Sequence, residues 1–122
     1  MKKRIMIIDD EERIRRVYGR LLHMLASNVF DIIQASDAAE ATQFLIRDKV
    51  DVILLDLRMP RVNGQMMYDV IREYDREVPV IVISVYPIEQ QRKMLPTASD
   101  YYDKSHGPIQ LLEKIMSAAG IG

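Results

Sequence analysis

Residues 52–55, Val-Ile-Leu-Leu, run without a polar interruption into one carboxylate, Asp56, and the chain then turns through Pro60 and Asn63-Gly64. A half-exposed strand alternates apolar with polar residues. An unbroken apolar run suits a strand covered on both faces, which confines the chain to folds with a buried, parallel sheet. The pattern recurs. Ile5-Met6-Ile7-Ile8 runs into Asp9-Asp10, and Val80-Ile81-Val82-Ile83 runs into Ser84. Phe30-Asp31-Ile32-Ile33-Gln34 and Tyr101-Tyr102 read as two weaker strands, the last ending at Asp103-Lys104.

The stretches between these runs carry helical spacing. Over 11–26, Ile14, Val17, Tyr18, Leu21 and Leu25 form an apolar stripe, with Arg13, Arg16, Arg20 and His23 on the other side and Asn28 as the break. Ser36 or Asp37 can cap a helix running to Arg47, with Ala38, Ala41 and Leu45 inward and Phe44 beside them. Gly64 opens a helix whose inner positions are Met67, Ile71 and Tyr74. From Ile88 to Leu95 there is room for about two turns before Pro96 stops them. Gly107-Pro108 starts the last helix, with Ile109, Leu112, Ile115, Met116 and Ala119 as its buried stripe and Gly120 as its stop.

Strand and helix alternate along the whole chain, 1–122, which reads as one domain. The alternation predicts a three-layer α/β fold, a parallel sheet covered on both faces by helices and joined by right-handed crossovers. A five-stranded, flavodoxin-like sheet of order 2-1-3-4-5 fits. It puts the ligand-binding switch point between strands 1 and 3. In that order Asp9, Asp10, Asp56, Ser84 and Lys104 all lie at the C-terminal ends of strands.

Composition narrows the function. A net charge of −1 gives no electrostatic case for direct nucleic-acid binding. The absence of cysteine excludes disulfides, thiolate catalysis and Cys-based zinc sites. Only four apolar residues follow Met1-Lys2-Lys3-Arg4 before Asp9, too few for a signal peptide. No apolar stretch approaches a membrane span, so a cytoplasmic location is expected.

Three carboxylates brought to one spot stay ionised together only with a cation among them. Oxygen ligands without cysteine or suitably spaced histidine favour Mg²⁺ over Zn²⁺. A nearby lysine supplies a point charge for a phosphoryl oxygen, and a serine hydroxyl supplies a hydrogen bond. A carboxylate can itself be the nucleophile, giving an aspartyl-phosphate. Each residue also has a plainer role. Asp9-Asp10 can cap a helix, Asp56 can start a turn, Ser84 can be a turn hydroxyl, Lys104 can be a solvated surface charge, and Tyr101 can be strand filler. Convergence at strand ends is what separates the two readings.

Ile-Ile-Asp-Asp-Glu at 7–11, Asp-Leu-Arg-Met-Pro-Arg-Val-Asn-Gly at 56–64, Val-Ile-Ser at 82–84 and Asp-Tyr-Tyr-Asp-Lys at 100–104 together resemble the receiver domain of two-component response regulators. The resemblance implies that Asp56 accepts a phosphoryl group from a sensor histidine kinase or a histidine phosphotransfer protein. It implies that Mg²⁺ is held by Asp10, Asp56 and the backbone carbonyl of Arg58, with Asp9 acting largely through water. Lys104 would pair with a phosphoryl oxygen, and the Ser84 hydroxyl would turn towards the phosphoryl group. Tyr101, three residues before Lys104, would follow that hydroxyl. The switched surface would be the helix 4, strand 5 and helix 5 face. The domain would be an interaction module rather than an enzyme, a monomer or a phosphorylation-dependent dimer, either free-standing or joined to an output domain. The Arg13, Arg16 and Arg20 face, otherwise a solvated helix face, is a docking candidate for the kinase.

The chain departs from the family in four places. Val85 stands where alanine or glycine is usual, which implies slower entry of small phosphodonors and slower loss of phosphate. Ser105 stands where a cis proline is usual. A non-proline cis bond costs about 2.5–4 kcal/mol, so Lys104-Ser105 either carries that cost or is trans and aims Lys104 differently. The stretch from Ser84 to Lys104 is short, so helix 4 is expected to be short, shifted or irregular. Arg58 and Tyr86 fill two variable positions at the rim. Three other readings compete: a pseudo-receiver that signals without phosphate, a small Mg²⁺-dependent phosphatase with Asp56 as nucleophile, and a flavodoxin. Arg58 stands where a haloacid-dehalogenase-type phosphatase places its second acid, and Asp9-Asp10-Glu11 would repel a flavin phosphate.

Overall fold

The apolar runs do form a parallel sheet. A computed structural model describes residues 2–57 and 64–121. The elements follow in the order β1 (Lys3–Ile8), α1 (Glu12–Ala26), β2 (Phe30–Ala35), α2 (Ala38–Arg47), β3 (Val52–Asp56), α3 (Gly64–Tyr74), β4 (Val80–Ser84), α4 (Ile88–Met94), β5 (Asp100–Asp103) and α5 (Pro108–Ala118). The strand order is β2-β1-β3-β4-β5, all parallel. Every residue of β3 and β4 is buried, as an unalternating run requires.

Side chains alternate across the pleat and build two cores. Met6, Ile8, Ile53, Leu55, Val80, Val82 and Tyr101 face one way, onto Ala41 of α2, Met67, Tyr68 and Ile71 of α3, and Leu95 just after α4. Ile5, Ile7, Val52, Leu54, Ile81, Ile83 and Tyr102 face the other, onto Tyr18, Leu22 and Ala26 of α1 and Leu111 and Ile115 of α5. The ends are fixed locally. Asp37 caps α2 by accepting from the Glu40 amide at 2.8 Å, and the Glu40 carboxylate accepts in return from both the amide and the hydroxyl of Ser36. Gly120 ends α5 at φ 74°, a left-handed conformation that suits glycine, while the Ile121 amide donates to the Met116 carbonyl at 2.9 Å.

The helix stripes differ from the sequence reading in four residues. Val17 is 43% exposed and Leu25 45%, while Tyr74 and Ile109 also face solvent. In α1 the buried face is rotated towards Tyr18, Gly19, Leu22 and Ala26. The small residues Gly19 and Ala26 let the helix close on the sheet, and a Cβ added at Gly19 would stand 3.1 Å from Gln34 Nε2. Tyr74 is the last residue of α3 and Ile109 lies in the first turn of α5.

The α4 region is short, as its sequence implies, and it is held from several sides. The Tyr101 hydroxyl donates to the Leu95 carbonyl at 2.6 Å, and the Tyr68 hydroxyl donates to the Thr97 carbonyl at 2.8 Å. The Val80 amide donates to Ser99 Oγ at 3.0 Å. These contacts fix the 95–99 segment that follows the short helix.

Candidate functional site

β1 and β3 are adjacent, so the residues that end them meet. Asp9 is completely buried and Asp56 is 3% exposed, while Asp10 is open to solvent. One carboxylate oxygen from each of Asp9, Asp10 and Asp56 lies within 4.8 Å of the others. Lys104 reaches this cluster from the end of β5, its Nζ 3.3 Å from Asp9 Oδ2 and 3.7 Å from Asp56 Oδ1. No cis peptide occurs among the described residues, so Lys104-Ser105 is trans, and Lys104 still points into the cluster. Arg58, the carbonyl ligand expected from the sequence, lies outside the described residues, as do Met59-Pro60 and Asn63.

The plainer reading of Asp9-Asp10 as a helix cap does not hold. Glu11 occupies the N-cap position of α1 and makes no side-chain cap bond. Asp9 Oδ1 instead accepts from the Glu11 amide at 3.0 Å, which ties down the turn. Its other oxygen faces Lys104. Arg15, which the sequence reading passed over, donates from Nη1 to the Asp9 carbonyl at 2.6 Å. Its six-residue separation from Asp9 offered no local signal. Three oxygens on one side and a single ammonium on the other make a site with excess negative charge, suited to a hard divalent cation. The residues present therefore fit Mg²⁺.

Ser84 is buried at the end of β4, its Oγ accepting from the Tyr86 amide at 3.1 Å. Its carbonyl accepts from the Lys104 amide at 2.7 Å, which joins the two strand ends. Gln91 is a second residue that the sequence reading missed. It is completely buried and donates from Nε2 to the Tyr86 carbonyl at 2.7 Å and the Tyr102 carbonyl at 3.0 Å. Its position between Ile88 and Leu95 on one helical stripe was the available signal.

Tyr101 and Tyr102 point to opposite faces. Tyr101 packs in the core beside α4, with the Arg92 guanidinium 5.1 Å from its ring centre. Tyr102 packs with α1 and α5 and donates to the His106 and Gly107 carbonyls. Burial raises the phenol pKa of both. Burial also raises that of Tyr18, with Tyr102, Asp9 and Asp56 adding to it. A raised phenol keeps its proton in the fold, whereas the unfolded chain loses it near pH 10. The stabilisation is complete below about pH 10 and is lost as pH rises through the folded values. Melting temperature, followed by circular dichroism, is expected to fall above about pH 10, and less steeply in Tyr102→Phe than in the native protein. A parallel fall in the two would contradict this assignment.

Known proteins are similar to this chain in both fold and sequence. The family model for the response regulator receiver domain matches residues 5–116. The "Probable transcriptional regulator ycf27" of Porphyridium aerugineum is 32% identical over 120 residues, which are 95% of this chain and 48% of that protein. The chain thus spans about half the length of the curated relatives it matches. A response regulator receiver domain protein (CheY-like) from Methanospirillum hungatei superimposes with a TM-score of 0.85 at 23% identity, covering 98% of this chain and 95% of that one. Response regulator protein TrrA from Thermotoga maritima, in complex with Mg(2+)-BeF, gives a TM-score of 0.79 at 28% identity, covering 95% and 98%. No helix among the described residues is long and apolar enough to cross a membrane. With the family match reaching all but the ends of a chain that has this strand order, the protein belongs to the response regulator receiver domain family of two-component signalling.

Proposed function

We propose that Asp56 accepts a phosphoryl group from a sensor histidine kinase or a histidine phosphotransfer protein in a Mg²⁺-dependent reaction. The observation that carries this reading is the meeting of three carboxylates within 4.8 Å, with Lys104 Nζ 3.3 Å and 3.7 Å from two of them. An Asp56 oxygen forms a bond to phosphorus while the P–N bond of the donor's phosphoimidazole breaks. The electron pair of that bond stays with the imidazole nitrogen, and the ring leaves neutral, its other nitrogen carrying the proton.

Asp10 and Asp56, with the Arg58 carbonyl, would be the direct ligands in this reading. Asp9, whose oxygens accept from the Glu11 amide and face Lys104, would act largely through water. Mg²⁺, when bound, offsets the charge of the acids and of the phosphoryl oxygens. Lys104 pairs with one phosphoryl oxygen. The Ser84 hydroxyl turns towards another, and Tyr101 follows it. The α4, β5 and α5 face reports the change as a population shift. The exposed Arg13, Arg16 and Arg20 face of α1 suits an acidic surface on the kinase or phosphotransfer partner. The half-length match to transcriptional regulators supports an output domain as the downstream partner.

A small phosphodonor with Mg²⁺ tests the reading without a kinase. One phosphoryl group per chain is expected, absent without Mg²⁺ and absent in Asp56→Asn. Many turnovers per chain would instead mean a phosphatase. Failure with small donors and with kinases alike would mean a pseudo-receiver.

A further inference from the structure

The segment after Ser84 buries an amide where an aliphatic side chain would complete the packing. Gln91 lies on the inner stripe of α4, between partly buried Ile88 and fully buried Leu95. A primary amide nitrogen carries two hydrogens. Gln91 spends them on the carbonyls of Tyr86 and Tyr102. Its Oε1 is buried and has no hydrogen-bond partner among the described residues. Turning the amide over would set that oxygen against both carbonyls, so the pairing fixes its direction. The resting arrangement is thereby one hydrogen bond short. A methionine of similar volume would avoid that deficit but would lose both donors.

Both carbonyls belong to segments that carry site residues. The Tyr86 amide holds Ser84 Oγ at 3.1 Å. Tyr102 stands two residues before Lys104, whose amide is bound to the Ser84 carbonyl at 2.7 Å. One side chain thus clasps the turn that orients the Ser84 hydroxyl to the strand that delivers Lys104. We infer that Gln91 is a positioning residue that holds the Ser84 hydroxyl in its resting direction, and that its clasp on Tyr86 loosens when the hydroxyl turns to a phosphoryl group on Asp56. The inference rests on the phosphoacceptor reading of Asp56. Opening exposes the unpaired Oε1 to a partner it lacks at rest, which offsets part of the loss of the Tyr86 bond.

Beryllofluoride with Mg²⁺ is the probe. Gln91→Met is expected to bind it at least about fivefold more tightly than the native protein, because the resting direction is no longer held. In a Ser84→Ala background the same substitution is expected to change affinity little, since there is no hydroxyl left to release. A residue that only fills the core would lower stability in both backgrounds and show no such coupling. Unchanged or weaker binding in Gln91→Met overturns the inference, and so does an equal gain in both backgrounds. If the variant does not fold, the native protein gives the answer. The Gln91 side-chain amide protons should exchange with solvent faster once Mg²⁺ and beryllofluoride are bound, and unchanged exchange overturns the inference. A native protein that binds no beryllofluoride overturns the phosphoacceptor reading and this inference with it. Binding without coupling overturns this inference alone.

Discussion

Replacing Lys104 with methionine is expected to slow phosphoryl incorporation by about 10²–10³-fold, the usual loss when a preorganised group facing developing charge is removed. The stem volume is kept and the charge is lost. Its Nζ is 3.3 Å from Asp9 and 3.7 Å from Asp56, and both carboxylates are buried. The substitution therefore also leaves two buried acids facing each other and Asp10. Breaking a buried pair from one side costs about 3–5 kcal/mol, and the solvent-open side of this cluster, at Asp10, brings the expected loss to about 2 kcal/mol. Mg²⁺ should restore more stability to Lys104→Met than it adds to the native protein, because it replaces the missing cation. Urea unfolding with and without Mg²⁺ checks this, alongside initial rates of incorporation. Lys104→Arg is not expected to rescue the rate, since a planar fork does not replace a compact point charge. A methionine variant that reacts at the native rate would contradict the role given to Lys104.

The second large effect is expected at Gly64. Its amide donates to the Leu57 carbonyl at 3.2 Å, so α3 begins directly against the residue that follows Asp56. A Cβ built at Gly64 would stand 2.7 Å from Leu57 Cδ2, 3.0 Å from Leu57 Cα and 3.2 Å from Leu57 O. The nearest of these is the end of the Leu57 side chain, which is itself buried and has little room to turn away, and the other two are backbone atoms. Alanine ordinarily gains up to about 1 kcal/mol over glycine inside a helix. Overpacking costs about 1–3 kcal/mol, and here a buried side chain and two backbone atoms crowd the same Cβ, so the clash should win. Gly64→Ala is expected to lower the urea midpoint and, by displacing Leu57, to slow phosphoryl incorporation at Asp56. An equal or higher midpoint would contradict the close approach.

Much of this was legible because the runs 5–8, 52–55 and 80–83 are covered on both faces, and such runs must be apolar throughout. Asp9, Asp56 and Ser84 then mark where each run ends, and the strand order brings those ends together. The helices were less legible for a physical reason. In α1 the residues nearest the sheet include Gly19 and Ala26, whose small size allows close packing, while the larger Val17 and Leu25 lie towards solvent. A stripe read from large apolar residues is therefore turned by about one residue, or 100°. Gln91 and Arg15 were missed because their partners, the Tyr86, Tyr102 and Asp9 carbonyls, are backbone atoms, which sequence spacing cannot reveal. The shortened α4 was legible from Pro96. The bonds from Tyr68 and Tyr101 that hold the following turn were not.

The most direct test of the central claim is the mapping of the modified residue. The native protein, incubated with acetyl phosphate and Mg²⁺, should carry one phosphoryl group, located by peptide mass spectrometry on Asp56, labile as an acyl phosphate and absent when the metal is chelated beforehand. Asp56→Asn should carry none. A stable phosphoryl group on any other residue, or equal incorporation in Asp56→Asn, would contradict the account.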